Sequence, residues 1–276
     1  VETTTGSKEK HRTYSLLKLI KMKRKTNSRH CLFLWLIMLF TFSISCSSGS
    51  NKNESDNETT FESTDVGEKV SQQDIEKVGV VTNPITGRTW MDRNLGATRV
   101  ATSSTDTEAY GDLYQWGRAA DGHQKRNSPT NTTQSSTDNP VHGDFIVFAN
   151  PFGVFDWRSP QNDDLWQGVN GTNIPCPEGF RIPTDEEWKQ EIATWSSKNA
   201  AGAFASPLKL PMGGYRVPTD GKLDVVGTVG YYWSSSVCGS NTHSGSDSRR
   251  LSIVHHSART NPATRNHGLC IRCIKD

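Results

Sequence analysis

The sequence predicts a mixed α+β domain over residues 77–276, with short antiparallel strands, one clear helix at about 184–196 and long loops. Three observations predict it. Short aliphatic or aromatic runs, such as Val78 to Thr82, Arg88 to Asp92 and Tyr231 to Val237, recur between clusters of Gly, Pro, Asn and Asp, the pattern of short strands and turns. Thr184-Asp-Glu-Glu187 opens the one sustained helical pattern with a capping box. Seven of the eight Trp fall between residues 90 and 233, so the core rests on large rings rather than on long regular elements. Four cysteines, Cys176, Cys238, Cys270 and Cys273, belong to this domain, an even number that permits three pairings.

The segments before the domain read as a delivery device. Residues 1–21 precede a complete signal peptide and are expected to be an upstream extension, with Met22 as the start. Residues 22–45 have a basic n-region and a fourteen-residue apolar stretch, Cys31 to Ile44, too short for a comfortable membrane span. Ser43-Ile-Ser-Cys46 resembles a bacterial lipobox, which implies acylation of Cys46. Residues 46–76 are rich in Ser, Asn, Asp, Glu and Thr and read as a flexible tether. The net charge of +2 conceals a division: residues 1–46 hold nine basic residues against two acidic, whereas the remaining 230 hold 22 against 27. The basic balance belongs to the leader, and nucleic-acid binding is not implied.

Within the domain, Asn83-Pro-Ile-Thr-Gly87 joins two strands as a hairpin. Residues 121–143 and 144–175 read mostly as loop. In the helix, Trp188, Ile192 and Trp195 share one face, and Asp185 and Glu186 suit its positive end. Short strands follow at 208–211, 213–217, 222–226 and 231–237, with a turn at Pro218-Thr-Asp-Gly221. In Arg250-Leu-Ser-Ile-Val254, alternation puts Leu251 and Ile253 on a core face and Arg250, Ser252 and Val254 on the other. From Ser234 to Ile274 there is no Lys, Glu, Gln, Met or Trp, although these types supply 47 of the 276 residues, so this segment is written in a restricted alphabet.

Five ordered motifs carry a family resemblance over about 78–276: Thr89-Trp-Met-Asp-Arg-Asn-Leu-Gly-Ala97, Gly111-Asp-Leu-Tyr-Gln-Trp-Gly-Arg118, Cys176-Pro-Glu-Gly-Phe-Arg-Ile-Pro-Thr-Asp-Glu-Glu-Trp188, Tyr232-Trp-Ser-Ser-Ser236 and Ile271-Arg-Cys-Ile-Lys-Asp276. They resemble the Fibrobacter succinogenes major paralogous domain of bacterial surface lipoproteins. Arg181 to Trp188 also resembles the formylglycine-generating enzyme family. Both resemblances imply a C-type-lectin-like fold with twisted antiparallel strands. The first implies export to the outer membrane and the cell surface of a Gram-negative bacterium, and a Cys176–Cys273 disulfide, since both cysteines fall in family motifs. The C-terminal segment, 238–267, is similar to the variable region of proteins diversified by retroelements, in which Asn codons are rewritten to codons ending in a pyrimidine. Lys, Glu, Gln, Met and Trp have no such codon. Under that resemblance Leu251, Ala258, Arg265, Gly268, Arg272 and Cys273 are constant, and Arg250, Ser252, Val254, Ser257, Arg259, Asn261 and His267 are variable. His255, His256, Cys238 and Cys270 depart from the pattern and are expected to be variable too.

The expected function is therefore a surface-displayed binding protein. Its contacts are expected from Arg250, Ser252, Val254, His255, His256, Ser257, Arg259, Asn261 and His267, to a protein or glycan on another cell, a phage or a host surface. Arg249, Arg250, Arg259, Arg265 and Arg272 against Asp247 suit an anionic partner. The alternatives are a structural envelope or adhesin-like protein without a specific ligand, and an enzyme of the formylglycine-generating type. The latter needs a reactive cysteine pair, and Cys270 and Cys273 stand at odd spacing on a strand, so no enzyme is expected. No cofactor is expected, and no Ser-His-Asp arrangement, phosphate loop or carboxylate pair is defensible. No metal is expected: His255 and His256 diverge on a strand, and Asn162-Asp-Asp164 reads as a solvated loop.

Overall fold

Eleven short strands and two helices build the domain in a computed structural model, which describes residues 79–148, 156–238 and 247–276. The leader, Cys46 and the tether lie outside the described residues, as does 239–246 of the expected variable segment. In chain order the elements are β1 (Val80–Thr82), β2 (Thr89–Met91), β3 (Thr130–Asn131), β4 (Phe145–Ile146), β5 (Phe180–Arg181), α1 (Asp185–Ala193), α2 (Ala200–Ala205), β6 (Tyr215–Arg216), β7 (Leu223–Asp224), β8 (Gly230–Val237), β9 (Asp247–Val254), β10 (Ser257–Thr264) and β11 (Ile274–Lys275). The class is mixed α and β, with mostly antiparallel strands and few helices. Among the described residues no helix is long and apolar enough to cross a membrane.

Two sheets organise the chain. One has the order β1-β2-β11-β5, antiparallel throughout, so the last strand lies between the first hairpin and the strand that leads into α1. The other has the order β10-β9-β8. Residues 268–273 stitch the two together through backbone bonds: Leu269 exchanges N–H and C=O with Tyr114, the Cys270 N–H donates to Tyr231, and the Ile271 and Cys273 carbonyls accept from Leu95 and Met91. The disulfide Cys176–Cys273 is present and joins the approach to β5 with the approach to β11. Cys238 and Cys270 are free thiols.

The helix forms where its cap requires. Thr184 Oγ1 accepts from the Glu187 N–H, and the Glu187 carboxylate accepts from the Thr184 N–H. Burial opposes ionisation of Glu187, but the two-pronged bond from Arg181 and the Thr184 N–H outweigh it and bring the carboxyl down to about 2. Trp188, Ile192 and Trp195 are buried, as the shared face requires. The helix stops at Ala193, one turn short of the expected end, because Thr194 caps it through backbone bonds to Glu191 and Ile192.

All seven Trp between 90 and 233 are buried. Five of their indole N–H groups donate to backbone carbonyls: Trp116 to Ser234 O, Trp157 to Trp116 O, Trp166 to Asn173 O, Trp188 to Trp233 O and Trp233 to Tyr114 O. Trp195 donates to the Glu191 carboxylate, and Trp90 Nε1 is enclosed without a partner. Each of the five carbonyl-bonded rings thus removes apolar area from water and satisfies a backbone acceptor. One expected feature is corrected. Residues 208–211 form no strand, and the Leu208 carbonyl accepts from Arg272 instead. Helix α2 and strand β10, neither expected, are present.

Candidate functional site

The β8–β9–β10 sheet is where the restricted alphabet lies. Its register pairs Tyr232 with Leu251, Gly230 with Ile253 and Ala258 with Ile253. Directly opposed residues in an antiparallel pair point to the same face. On the helix side, Tyr232, Leu251, Ile253 and Ala258 pack in one cluster with Trp188, Ile192 and Ala203. Leu251 and Ile253 are wholly buried, as alternation requires.

The opposite face collects the candidate residues. Tyr231 opposes Ser252, which opposes Arg259; Arg250 opposes Asn261; Val254 opposes Ser257. One end of this face is closed, since Trp233 and Ala263 belong to a second cluster with Trp116, Trp166 and Ile271. The other end is open and runs to the turn at His255 and His256, both exposed. Arg259 is exposed, and Val254, Ser257 and Asn261 are half-buried.

Two side chains are less free than expected. The Arg250 guanidinium lies 4.0 Å from the Tyr231 ring centroid, and burial lowers its pKa. Ser252 is buried, flanked across the strands by the longer Tyr231 and Arg259. The stack extends beyond the segment: Tyr231 meets Tyr215 at 5.5 Å between centroids, and Tyr215 meets His267 at 5.6 Å. His267 Nδ1 lies 2.7 Å from Thr264 Oγ1. Burial first, then the Arg250 charge, brings its pKa down to about 4, so the ring is neutral at pH 7. Arg250 Nε and Asn261 Oδ1, on one opposed pair, are both enclosed without a hydrogen-bond partner.

Tyr215 comes from the β6–β7 hairpin, outside the variable segment. Its hydroxyl donates to Asp224 at 3.0 Å. Gly214 makes the approach possible: its φ is 67°, and a Cβ there would stand 2.5 Å from the Asp224 carbonyl oxygen. No feature of the sequence around Tyr215 marks it for this surface. Tyr231 was legible as a strand residue, and alternation with the buried Tyr232 is the signal that sets it on this face.

The charge reading needs correction. Arg249 donates to Asp185 at the start of α1, at 3.2 Å. Arg265 is buried, pairs with Asp163 at 2.6 Å and stacks 4.2 Å above Trp116. Arg272 is buried and donates to Asn94 Oδ1 and to the Leu208 and Met91 carbonyls. These three arginines hold the fold. Among the described residues, Arg250 and Arg259 make no ion pair, so the cationic character of the face rests on them. Cys270 is also corrected: it is wholly buried, its thiol pushed up to about 11 by burial, and a Cβ at Gly213 would lie 2.9 Å from its sulfur. It belongs to the core and forms no pair with Cys273. Asn162 and Asp163 serve Arg265, through the Asn162 carbonyl and the Asp163 carboxylate. Among the described residues no group of three or more His, Cys, Asp or Glu is placed to hold a metal ion.

The arrangement presents an aromatic and cationic face. No family model, curated protein or solved structure matches this chain. The face is therefore read from its own chemistry.

Proposed function

We propose that this protein is a lipid-anchored binding protein displayed at the outer membrane, with a C-type-lectin-like domain of the Fibrobacter succinogenes major paralogous type, and that the open face of β8–β9–β10 contacts its ligand. One observation carries the reading. The positions that the resemblance holds constant, Leu251, Ala258, Arg265, Gly268, Arg272 and Cys273, are all buried. Six of those it varies, Arg250, Ser252, Val254, Ser257, Arg259 and Asn261, share the opposite face of one sheet. A surface whose side chains vary without disturbing the packed side is what diversification needs, and a generic solvated strand has no reason to exclude Lys, Glu and Gln. The lectin-like fold is supported by the terminal strand paired beside the first hairpin and by helices packed on one face of the second sheet.

The test is a displayed library of the full chain. Arg250, Ser252, Val254, Ser257, Arg259 and Asn261 are randomised together, beside a control library at Leu251, Ile253 and Ala258. The outer-face library should retain folding in most members and yield binders to an arbitrary target protein, whereas the control library should lose folding. Equal loss of folding in both would make the face structural and favour an envelope protein without a specific ligand. A neighbouring reverse-transcriptase gene with a near-copy of the 3′ end, differing at adenines, is the expected genetic sign of diversification.

A further inference from the structure

Resting on that binding face, we infer that its ligand is an acidic carbohydrate, with the sugar ring against Tyr231 and Tyr215 and its anionic group held by Arg250 and Arg259. Three observations point to an anion. Arg250 and Arg259 make no ion pair among the described residues, whereas Arg249 and Arg265 are engaged by Asp185 and Asp163. Arg259 opposes Ser252, so it is the diagonal neighbour of Arg250, about 7–8 Å away at the backbone and within reach of one shared anionic group. Asp224 is turned to the Tyr215 hydroxyl rather than to either arginine.

Two further observations choose a sugar among anionic ligands. Tyr231 and Tyr215 form a pair of rings tilted by 50°, half-buried, which offers two apolar facets rather than a parallel slot for a flat base. Arg250 Nε is a donor and Asn261 Oδ1 an acceptor, both without partners on one opposed pair. A hydroxyl group satisfies both at once, accepting from the Nε–H and donating to Oδ1; a carboxylate cannot donate. Both atoms are enclosed, so a hydroxyl reaches them as the Arg250 side chain lifts from Tyr231, which also frees the ring for the sugar. An acidic peptide added as a strand would need a sheet edge and its backbone groups, whereas these residues lie on a sheet face.

The full chain is tested for direct binding to an oligogalacturonate, a sulfated oligosaccharide, a neutral oligosaccharide of equal length, a poly-glutamate peptide and a single-stranded oligonucleotide. At least one acidic oligosaccharide should bind, weaken with added salt, and exceed the neutral one by at least tenfold. Arg259→Gln and Tyr215→Leu should each weaken it at least fivefold. The exposed Arg259 provides the variant whose folding is not at issue, and its melting temperature should match the parent. Poly-glutamate or the oligonucleotide bound as tightly as the sugars would overturn the ligand class, as would equal binding of the neutral sugar or no sugar binding. If the outer-face library still yields binders in those cases, the binding face survives and only the ligand class falls. Acidic-sugar binding unchanged in both variants would place the ligand elsewhere and overturn the site.

Discussion

Leu251, Arg250 and Arg259 stand within one hairpin, and their substitution by alanine should separate folding from display. Leu251 is wholly buried between the sheet and the helices, among Tyr232, Trp188 and Ile192. Leu251→Ala should cost about 2–5 kcal/mol, as the transfer term and the residual cavity add. Arg250 is different. Its stack on Tyr231 at 4.0 Å is worth about 0.5–1 kcal/mol where exposed and about 2 where desolvated. Its enclosed Nε has no partner, a cost that Arg250→Ala removes, so the net loss should be about 1 kcal/mol. Arg259 is exposed without an ion pair, and Arg259→Ala should change stability by about 0.5 kcal/mol or less. Denaturant melts of the full chain read these differences directly. In thermal melts each kcal/mol should move the midpoint by about 2–4 °C for a domain of this size. If Arg259→Ala destabilised as much as Leu251→Ala, the outer face would be structural and the reasoning from burial would be wrong. If Arg250→Ala cost as much as Leu251→Ala, the stack would be a core element rather than part of a displayed surface.

Three further outcomes are expected. The Cys176–Cys273 bond closes a separation of 97 residues, so Cys176→Ser with Cys273→Ser should lose about 2–5 kcal/mol, measured by denaturation of the oxidised parent and the double variant; equal midpoints would refute a stabilising role. Glu187, depressed from 4.5 to about 2, contributes stability that is fully present above pH 4.5 and is lost as pH falls towards 2. Glu187→Gln should therefore cost about 1–2 kcal/mol at pH 7, allowing for solvent screening, and flatten the acid limb; an unchanged acid limb would count against it. Metabolic labelling with a palmitate analogue should mark the parent and not Cys46→Ala, and equal labelling of both would remove the lipid anchor from the proposal.

The sequence by itself determined the local features. Thr184 and Glu187 specify a helix start through a reciprocal bond three residues apart, and that start is where α1 begins. Asn83 to Gly87 specify the first hairpin, and β1 and β2 pair antiparallel on either side of it, Thr82 opposite Thr89. Alternation in Arg250 to Val254 decided which side of the strand each residue faces. The crowding of Trp pointed to a core of rings, and the rings are buried.

Only the tertiary structure decided what covers each side. Ser252 faces outward yet is buried because Tyr231 and Arg259 flank it, and Arg250 is half-covered because a tyrosine from the neighbouring strand lies beneath its guanidinium. Tyr215 reaches the same patch from a separate hairpin, whose strands Gly214 allows to close on each other. Arg249 and Arg265 count as positive charge in the sequence, but Asp185 and Asp163, distant along the chain, consume them. Strand β10 contains Pro262 and few apolar residues, so its local signal is weak; pairing with β9 and burial of Ala258 and Ala263 form it. Helix α2 is six residues long, too short to be stable alone, and is held by the Asn199 cap and the packing of Gly202 and Ala203. The physical division is between terms that act within a few residues, such as caps, turns and alternation, and burial, which is a property of neighbours that the chain brings from far away.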